Sequence, residues 1–170
     1  MPPNVGTGRK FYSKVTVLGA GSFGTAMAMS AARNNHNVVF YCRDPVQAES
    51  INTKHVNNEF HCSFTLPNNI TATTDLVAAL KDTDMIIHAL PCQLSPKFFA
   101  ENAHLIPPSV CICSTAKGLY VETKQLLGDA ILSALKRPQV RGERNEARRG
   151  EGLLVCPTIL LLPRTRTRTH

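Results

Sequence analysis

Short apolar runs alternate with helix-like segments along the first 137 residues. The runs are rich in Val, Ile, Leu, Phe and Cys, which is typical of strands covered on both faces. They predict strands over residues 14–18, 38–42, 70–73, 85–90 and 110–114. The segments between them predict helices over residues 25–34, from 45 onward, and over 75–81, 96–102 and 122–136. Strands that alternate with helices in this way predict an α/β domain with a parallel sheet.

A glycine motif stands directly after the first predicted strand. Residues 19–24 read Gly-Ala-Gly-Ser-Phe-Gly, the G-x-G-x-x-G spacing of a dinucleotide-binding turn. In such a turn Gly19 permits the sharp bend, Gly21 leaves room for a pyrophosphate, and Gly24 lets the helix pack closely on the sheet. The N–H groups of the first helical turn then face the phosphates. The motif and its setting predict a Rossmann-like doubly wound parallel sheet.

A protein kinase is the rival interpretation of the same glycines. A kinase glycine-rich loop leads into a second strand, and a lysine follows in that strand. Here the motif leads into residues 25–32, which are rich in Ala and Met, and no lysine occurs between Lys14 and Lys54. Neither His-Arg-Asp nor Asp-Phe-Gly occurs in the sequence. We therefore reject a kinase.

The end of the second predicted strand bears on the choice of cofactor. An acid about 20 residues after the glycines binds the adenosine ribose of NAD in many such domains. Asp44 has this spacing, but Pro45 follows it, so Asp44 is also a candidate helix N-cap. Arg43 could stack on adenine or meet a 2′-phosphate. The sequence leans toward NAD and leaves NADP open.

The C-terminal residues 138–170 differ from the rest in composition. They carry seven arginines and three glutamates, a net charge of +4 out of +7 for the chain, and end in an Arg-Thr repeat. A basic nucleic-acid arm is one interpretation, but no aromatic residue lies among the arginines to stack on bases. We predict an irregular, disordered or non-homologous basic tail, and no nucleic-acid partner. Residues 1–13 are expected to form an N-terminal extension.

Other chemistry-bearing residues have simpler explanations. The six cysteines form no Cys-x-x-Cys pair and predict reduced, mostly buried thiols rather than a metal site. His88 lies within an apolar run and predicts a packed core histidine. His55 and His61 are expected in loops. The sequence contains neither an apolar run of membrane-spanning length nor a secretory leader, so we expect a cytoplasmic protein without a membrane partner. Arg9 and Lys10 leave organellar import open.

Several segments together resemble NAD-dependent glycerol-3-phosphate dehydrogenase. Residues 15–26 resemble the start of that family, and Asn52, His55 and Asn57 its N-x-x-H/R-x-N stretch. The further matching segments are Leu66-Pro67, residues 90–94 (Leu-Pro-Cys-Gln-Leu) and residues 114–119 (Ser-Thr-Ala-Lys-Gly-Leu). The resemblance runs over about residues 14–137, which it identifies as an NAD-binding Rossmann domain.

The resemblance implies a set of cofactor-binding residues, and these are Gly19, Ala20, Gly21, Ser22, Phe23, Gly24, Arg43, Leu94 and Lys117. Lys117 matches a lysine that approaches both the nicotinamide and the substrate. The implied reaction is hydride transfer between dihydroxyacetone phosphate and sn-glycerol 3-phosphate.

The resemblance also implies a second, helical domain that holds the general-acid lysine and the substrate phosphate. The match is lost after Arg137, so we expect no catalytic group in this chain and little activity from it alone. A homodimer through the second domain is compatible with the family. The alternative is a nucleotide-binding module, or a truncated product, without turnover.

Overall fold

The computed structural model describes residues 14–60, 63–116 and 118–137, and the backbone of residues 153–155. In chain order the strands are β1 (Lys14–Leu18), β2 (Asn37–Tyr41), β3 (Ile70–Thr73), β4 (Met85–His88), β5 (Cys111–Ser114), β6 (Leu119–Tyr120), β7 (Gln125–Leu126) and β8 (Leu153–Val155). The α-helices are α1 (Ser22–Arg33), α2 (Pro45–Lys54), α3 (Leu76–Leu80), α4 (Ser95–Glu101) and α5 (Leu127–Ala134). A short 3₁₀ helix covers Ala103–Leu105.

Six of these strands form one parallel sheet in the order β3-β2-β1-β4-β5-β8. The chain starts at the centre with β1, builds outward through β2 and β3, and then returns to pair β4 with the other side of β1. The prediction of a Rossmann-like doubly wound α/β fold is confirmed. A cofactor in such a sheet binds where the strand order reverses, beyond the carboxyl ends of β1 and β4.

Two apolar clusters cover the sheet. The first includes residues of α1 and α2, and the second includes residues of α3, α4 and α5. One contains Ala28 and Ala32 of α1 with Val38 and Phe40 of β2. The other contains Phe99 of α4 and Ile131 of α5 with strand residues such as Ile86 and Ile112. All four residues of β5 are buried. Coverage on both faces explains why the strands are continuous apolar runs rather than alternating ones.

Local signals set the starts of two helices. Asp44 Oδ1 accepts a hydrogen bond from Val46 N at 2.9 Å, with Pro45 in the first helical position of α2. Asp75 Oδ1 accepts from Val77 N at 2.9 Å in the same way at α3. Side-chain acceptance of an early helical N–H stabilises a helix start by about 1 kcal/mol. The prediction that Asp44 acts as an N-cap is confirmed.

The region after β5 differs from the prediction. A helix over residues 122–136 was expected, but the chain first forms the antiparallel pair β6–β7, and α5 begins only at Leu127. Lys124 has a φ of 55°, in the left-handed region, which turns the chain between the two strands. Gln93 Nε2 also donates to the Leu119 carbonyl at 3.0 Å, which ties this hairpin to the loop after β4.

The outermost strand, β8, lies within the segment expected to be an irregular tail. Residues 153–155 pair in parallel with β5, in the register Ile112↔Leu153. The sequence analysis did not predict this strand, because a short apolar patch that Pro157 interrupts, directly after a charged segment, carries little pattern. The other residues of 138–170, and the expected extension over 1–13, lie outside the described residues.

Within the described residues, none of the helices combines the length and the apolarity needed to cross a membrane.

Candidate functional site

The glycine motif forms the turn between β1 and α1 at the centre of the sheet. Gly19 N donates to the Tyr41 carbonyl at 3.0 Å, so the bend starts while the chain is still held beside β2. Gly19 has a φ of 102°, and a Cβ there would lie 2.9 Å from the Ala89 carbonyl oxygen. Both the backbone angle and the contact with the chain after β4 require glycine at position 19.

Gly24 is required for a different reason. It is buried in the first turn of α1, and an added Cβ would overlap the carbonyl oxygen of Gly19. The same Cβ would lie 3.3 Å from Ala89 Cβ. Glycine at position 24 therefore lets the helix start directly against the turn that precedes it.

Gly21 is the exception, because nothing in the described residues requires glycine there. Its φ is −72° and its ψ is −179°, an extended conformation that any residue adopts. An added Cβ would meet no atom of the described residues within 4 Å. Gly21 is the N-cap of α1, and no acidic residue lies in the first turn of that helix. The arrangement leaves open space beside a helix N-terminus, where an anionic group is favoured.

These differences predict that an alanine substitution lowers the stability at one of these glycines and not at the other. Gly24→Ala should lower the free energy of unfolding by about 1–3 kcal/mol, because the new methyl group overlaps backbone that cannot easily move. Gly21→Ala, the matched control, should change it by less than about 0.5 kcal/mol. Urea unfolding followed by circular dichroism measures both. Equal destabilisation by the two variants would contradict the packing derived for the turn.

Two of the remaining predicted residues lie exposed at the same edge of the sheet. Phe23 follows β1 and is 48% exposed, and Leu94 follows β4 and is 52% exposed. Leu94 is the N-cap residue of α4, and its N–H donates to the Pro91 carbonyl at 3.1 Å. Apolar side chains left in solvent at this edge are suited to contact a ligand.

Arg43 follows β2 at this edge. Its side chain is exposed, and none of the described residues forms an ion pair with it. Asp44 next to it is engaged as the cap of α2 through Oδ1. Of the predicted set, Ser22 is exposed in the first turn of α1 and Ala20 is buried beneath the turn. Lys117 lies outside the described residues.

His88 ends β4 but is buried, with 0% of its surface exposed. Its Nε2 lies 2.7 Å from Ser95 Oγ and its Nδ1 lies 3.0 Å from Ser114 Oγ. Ser95 Oγ already donates to the Pro91 carbonyl, so it accepts from Nε2–H, and Nδ1 accepts from Ser114. Burial lowers the pKa of His88 to about 4. His88 is therefore a neutral core histidine, as predicted, that joins β4, β5 and α4.

A buried polar cluster beneath the glycine turn was missed by the sequence analysis. Gln47 of α2, 4% exposed, and Asn57, 0% exposed, both donate to the Ala20 carbonyl. Asn57 belongs to the Asn-x-x-His-x-Asn stretch and could have been singled out there, whereas no sequence pattern marks Gln47. Asn52 of the same stretch lies elsewhere and bonds Ala72 of β3 through both its amide nitrogen and its oxygen.

The described residues do not form a metal site. The described residues include no group of three or more His, Cys, Asp or Glu side chains arranged to hold a metal ion. Cys42, Cys111 and Cys113 are buried, and Cys92 is partly exposed.

Comparison with known proteins agrees with the geometry of the turn. The family described as NAD-dependent glycerol-3-phosphate dehydrogenase N-terminus matches residues 14–141. The chloroplastic glycerol-3-phosphate dehydrogenase [NAD(+)] 2 of Arabidopsis thaliana is 41% identical over 128 residues, which is 74% of this chain and 30% of that protein. The glycerol-3-phosphate dehydrogenase [NAD(P)+] of Leptospira biflexa is 37% identical over 122 residues, which is 72% of this chain and 37% of that protein.

Solved structures give the same result. Glycerol-3-phosphate dehydrogenase from Coxiella burnetii superposes with a TM-score of 0.69 at 26% identity, over 75% of this chain and 39% of that one. The Saccharomyces cerevisiae enzyme superposes with a TM-score of 0.65 at 30% identity, over 72% and 39%. This chain thus spans between 30% and 39% of the length of these four proteins. The resemblance stated from the sequence is confirmed, and the chain belongs to the family of the N-terminal part of NAD-dependent glycerol-3-phosphate dehydrogenase.

Proposed function

We propose that this chain binds NAD or NADP as the nucleotide-binding part of a glycerol-3-phosphate dehydrogenase. The observation that carries the proposal is the open space at Gly21. Gly19 and Gly24 are required by the packing of the turn, but the described residues give no reason for glycine at position 21. A ligand that approaches the backbone closely at the N-terminus of α1 does give one, and a pyrophosphate has the right charge.

The other predicted residues have roles that fit this site. Gly19–Gly24 would hold the pyrophosphate, with Ser22 and Phe23 closest to it. Arg43 would contact the adenosine half, either on the adenine face or at a 2′-phosphate. Leu94 would pack against the cofactor, and Lys117 would approach the nicotinamide side and the substrate. Because Asp44 caps α2, its carboxylate gives no clear preference between NAD and NADP.

The reaction proposed for the family domain in its full-length context is hydride transfer between dihydroxyacetone phosphate and sn-glycerol 3-phosphate. When bound, the nicotinamide supplies the hydride. Reduction of a ketone also needs a positioned proton donor. His88 is unsuited to that task, because it is fully buried and its pKa is lowered to about 4. We propose that residues 14–137 supply the cofactor site and that the proton donor is not among the described residues.

The test of this function separates binding from turnover. The 170-residue chain should raise the fluorescence of NADH on binding, and should leave the absorbance of NADH unchanged when dihydroxyacetone phosphate is added. Rapid NADH oxidation that depends on dihydroxyacetone phosphate would contradict the division of labour proposed here. A failure of NADH and NADPH to bind at millimolar concentration would contradict the cofactor site itself.

A nucleotide-binding module without turnover is the second candidate. It is favoured by the state of His88 at the end of β4, which is fully buried with its pKa lowered to about 4 and is therefore unsuited to donate a proton. Both candidates use the same cofactor site. They differ in the result expected when a second protein, corresponding to the rest of the relatives' sequence, is added. Turnover should then appear for the dehydrogenase and should not appear for the module.

A further inference from the structure

A buried cluster beneath the glycine turn contains Thr25, Gln47 and Asn57. Each side-chain amide hydrogen of Gln47 and Asn57 has an acceptor in this cluster. Asn57 Nδ2 donates to the Ala20 carbonyl and to Thr25 Oγ1, both at 2.8 Å. Gln47 Nε2 donates to the Ala20 carbonyl at 3.1 Å and to Asn57 Oδ1 at 3.0 Å. Thr25 Oγ1 in turn donates to the Gly21 carbonyl at 2.9 Å.

The acceptors fix the orientation of both amides. A carbonyl oxygen only accepts, so the nitrogen of Asn57 and the nitrogen of Gln47 must both face Ala20. The cluster is closed to water, since Asn57 and Thr25 are 0% exposed and Gln47 is 4% exposed. Loss of one member leaves buried polar groups without partners, which is costly in a dry environment.

The cluster sets the direction of two peptide groups in the turn. The Ala20 carbonyl is held inward by Gln47 and Asn57. The Gly21 carbonyl is held by the N–H of Thr25 at 2.9 Å as well as by its hydroxyl. In a trans peptide the N–H points opposite to the carbonyl, so the N–H of Gly21 is directed away from the cluster. A Cβ at Gly21 would meet no atom of the described residues within 4 Å, so the space around this residue is open.

We propose that Asn57, Gln47 and Thr25 are positioning residues for pyrophosphate binding. They hold the carbonyls of Ala20 and Gly21 inward, and thereby aim the N–H of Gly21 at the phosphates. Because Gln47 lies on α2 and Asn57 follows it, the segment after the adenosine-side strand β2 controls the geometry of the turn after β1. The proposal rests on the proposed cofactor site and adds to it the side chains that orient that site.

The first arm of the test uses substitutions at Thr25 in the full 170-residue chain, with NADH as the probe. Thr25→Val keeps the shape of the side chain but removes the hydroxyl that links Asn57 to Gly21. Thr25→Ser keeps that hydroxyl and removes only the methyl group. We expect Thr25→Val to raise the Kd for NADH at least ~10-fold and Thr25→Ser to stay within about twofold of the parent. If the two variants bind NADH equally well, the proposal is wrong.

The second arm compares two asparagines that both bond backbone groups. Asn57→Ala breaks the cluster, whereas Asn52→Ala breaks the bonds between α2 and β3 away from the turn. Urea midpoints give the stability of each, and Kd values are measured where both are folded. We expect at least ~10-fold weaker NADH binding for Asn57→Ala alone. Equal weakening by Asn52→Ala would show that binding follows stability, and would overturn the proposal. If Asn57→Ala does not fold, the Thr25 pair decides.

A third readout separates this proposal from the proposed function. It is the amide resonance of Gly21 in the cofactor-free protein, measured by ¹H–¹⁵N NMR. This resonance should shift in Thr25→Val and should stay near its parent position in Thr25→Ser. If the parent chain binds neither NADH nor NADPH, the cofactor site is refuted, and this resonance alone decides whether the cluster orients the turn. An unmoved Gly21 resonance in Thr25→Val would refute the positioning role.

Discussion

Replacing Gly21 by valine should leave the protein folded and weaken NADH binding by at least ~100-fold, which corresponds to about 2.7 kcal/mol. The extended backbone at Gly21 accepts any residue, and the added Cβ meets no atom of the described residues within 4 Å, so we expect the fold to be unchanged. The branched side chain would occupy the space through which a pyrophosphate approaches the N-terminus of α1. A loss of binding without a loss of stability is the signature of a residue kept small for its ligand.

Fluorescence titration measures the affinity for NADH, and urea unfolding measures the stability. The control is Ser30→Val, which places the same side chain at an exposed position further along α1. Ser30→Val should bind NADH within about twofold of the parent. If Gly21→Val binds NADH as tightly as that control, the cofactor does not lie over the glycine turn.

Acidification between about pH 6.5 and pH 4 should destabilise the protein through His88. Burial lowers the pKa of this histidine from 6.5 to about 4, so in this range the unfolded state binds a proton that the folded state does not. The free energy of unfolding therefore falls as the pH drops below the unfolded pKa, and this contribution stops falling below the folded pKa. The full effect is about 3 kcal/mol, and about 2 kcal/mol of it should be lost by pH 5.

Urea unfolding at pH 7.5 and pH 5 measures this dependence. His88→Gln removes the titrating ring, so its stability should change by about 2 kcal/mol less than that of the parent over the same interval. His104→Gln, at an exposed position, is the matched control and should keep the dependence of the parent. An identical pH dependence in His88→Gln and the parent would mean that protonation of His88 is not coupled to folding.

The sequence was sufficient to predict those features that depend on local pattern. The apolar runs located the five strands β1 to β5 to within about two residues, because strands covered on both faces carry few polar positions. Asp44-Pro45 located the start of α2, since both residues act on the first helical turn alone. The G-x-G-x-x-G spacing located the turn. The sequence could not show that Gly21 is the one glycine of the motif at which an added Cβ would contact no described atom.

Features that depend on contacts between distant segments could not be predicted. Asn57 and Ala20 are joined by a bond across 37 positions, and Gln47 and Ala20 by one across 27. No periodicity connects such residues. The β6–β7 hairpin was also missed, because its turn relies on a left-handed Lys124 and on contacts with Gln93 rather than on a glycine or proline. β8 is recognisable only by its pairing with β5.

The central position of β1 has a consequence for synthesis on the ribosome. One side of β1 pairs with β2, which follows shortly, but the other side pairs with β4, and Lys14 N meets the Asp84 carboxylate across 70 positions. A nascent chain therefore carries the innermost strand of its future sheet with one open hydrogen-bonding edge until β4 has left the exit tunnel. Such an edge is a template for intermolecular pairing. Chaperone dependence of this protein should accordingly be greatest while residues 19–84 are emerging, and decline once β4 has docked.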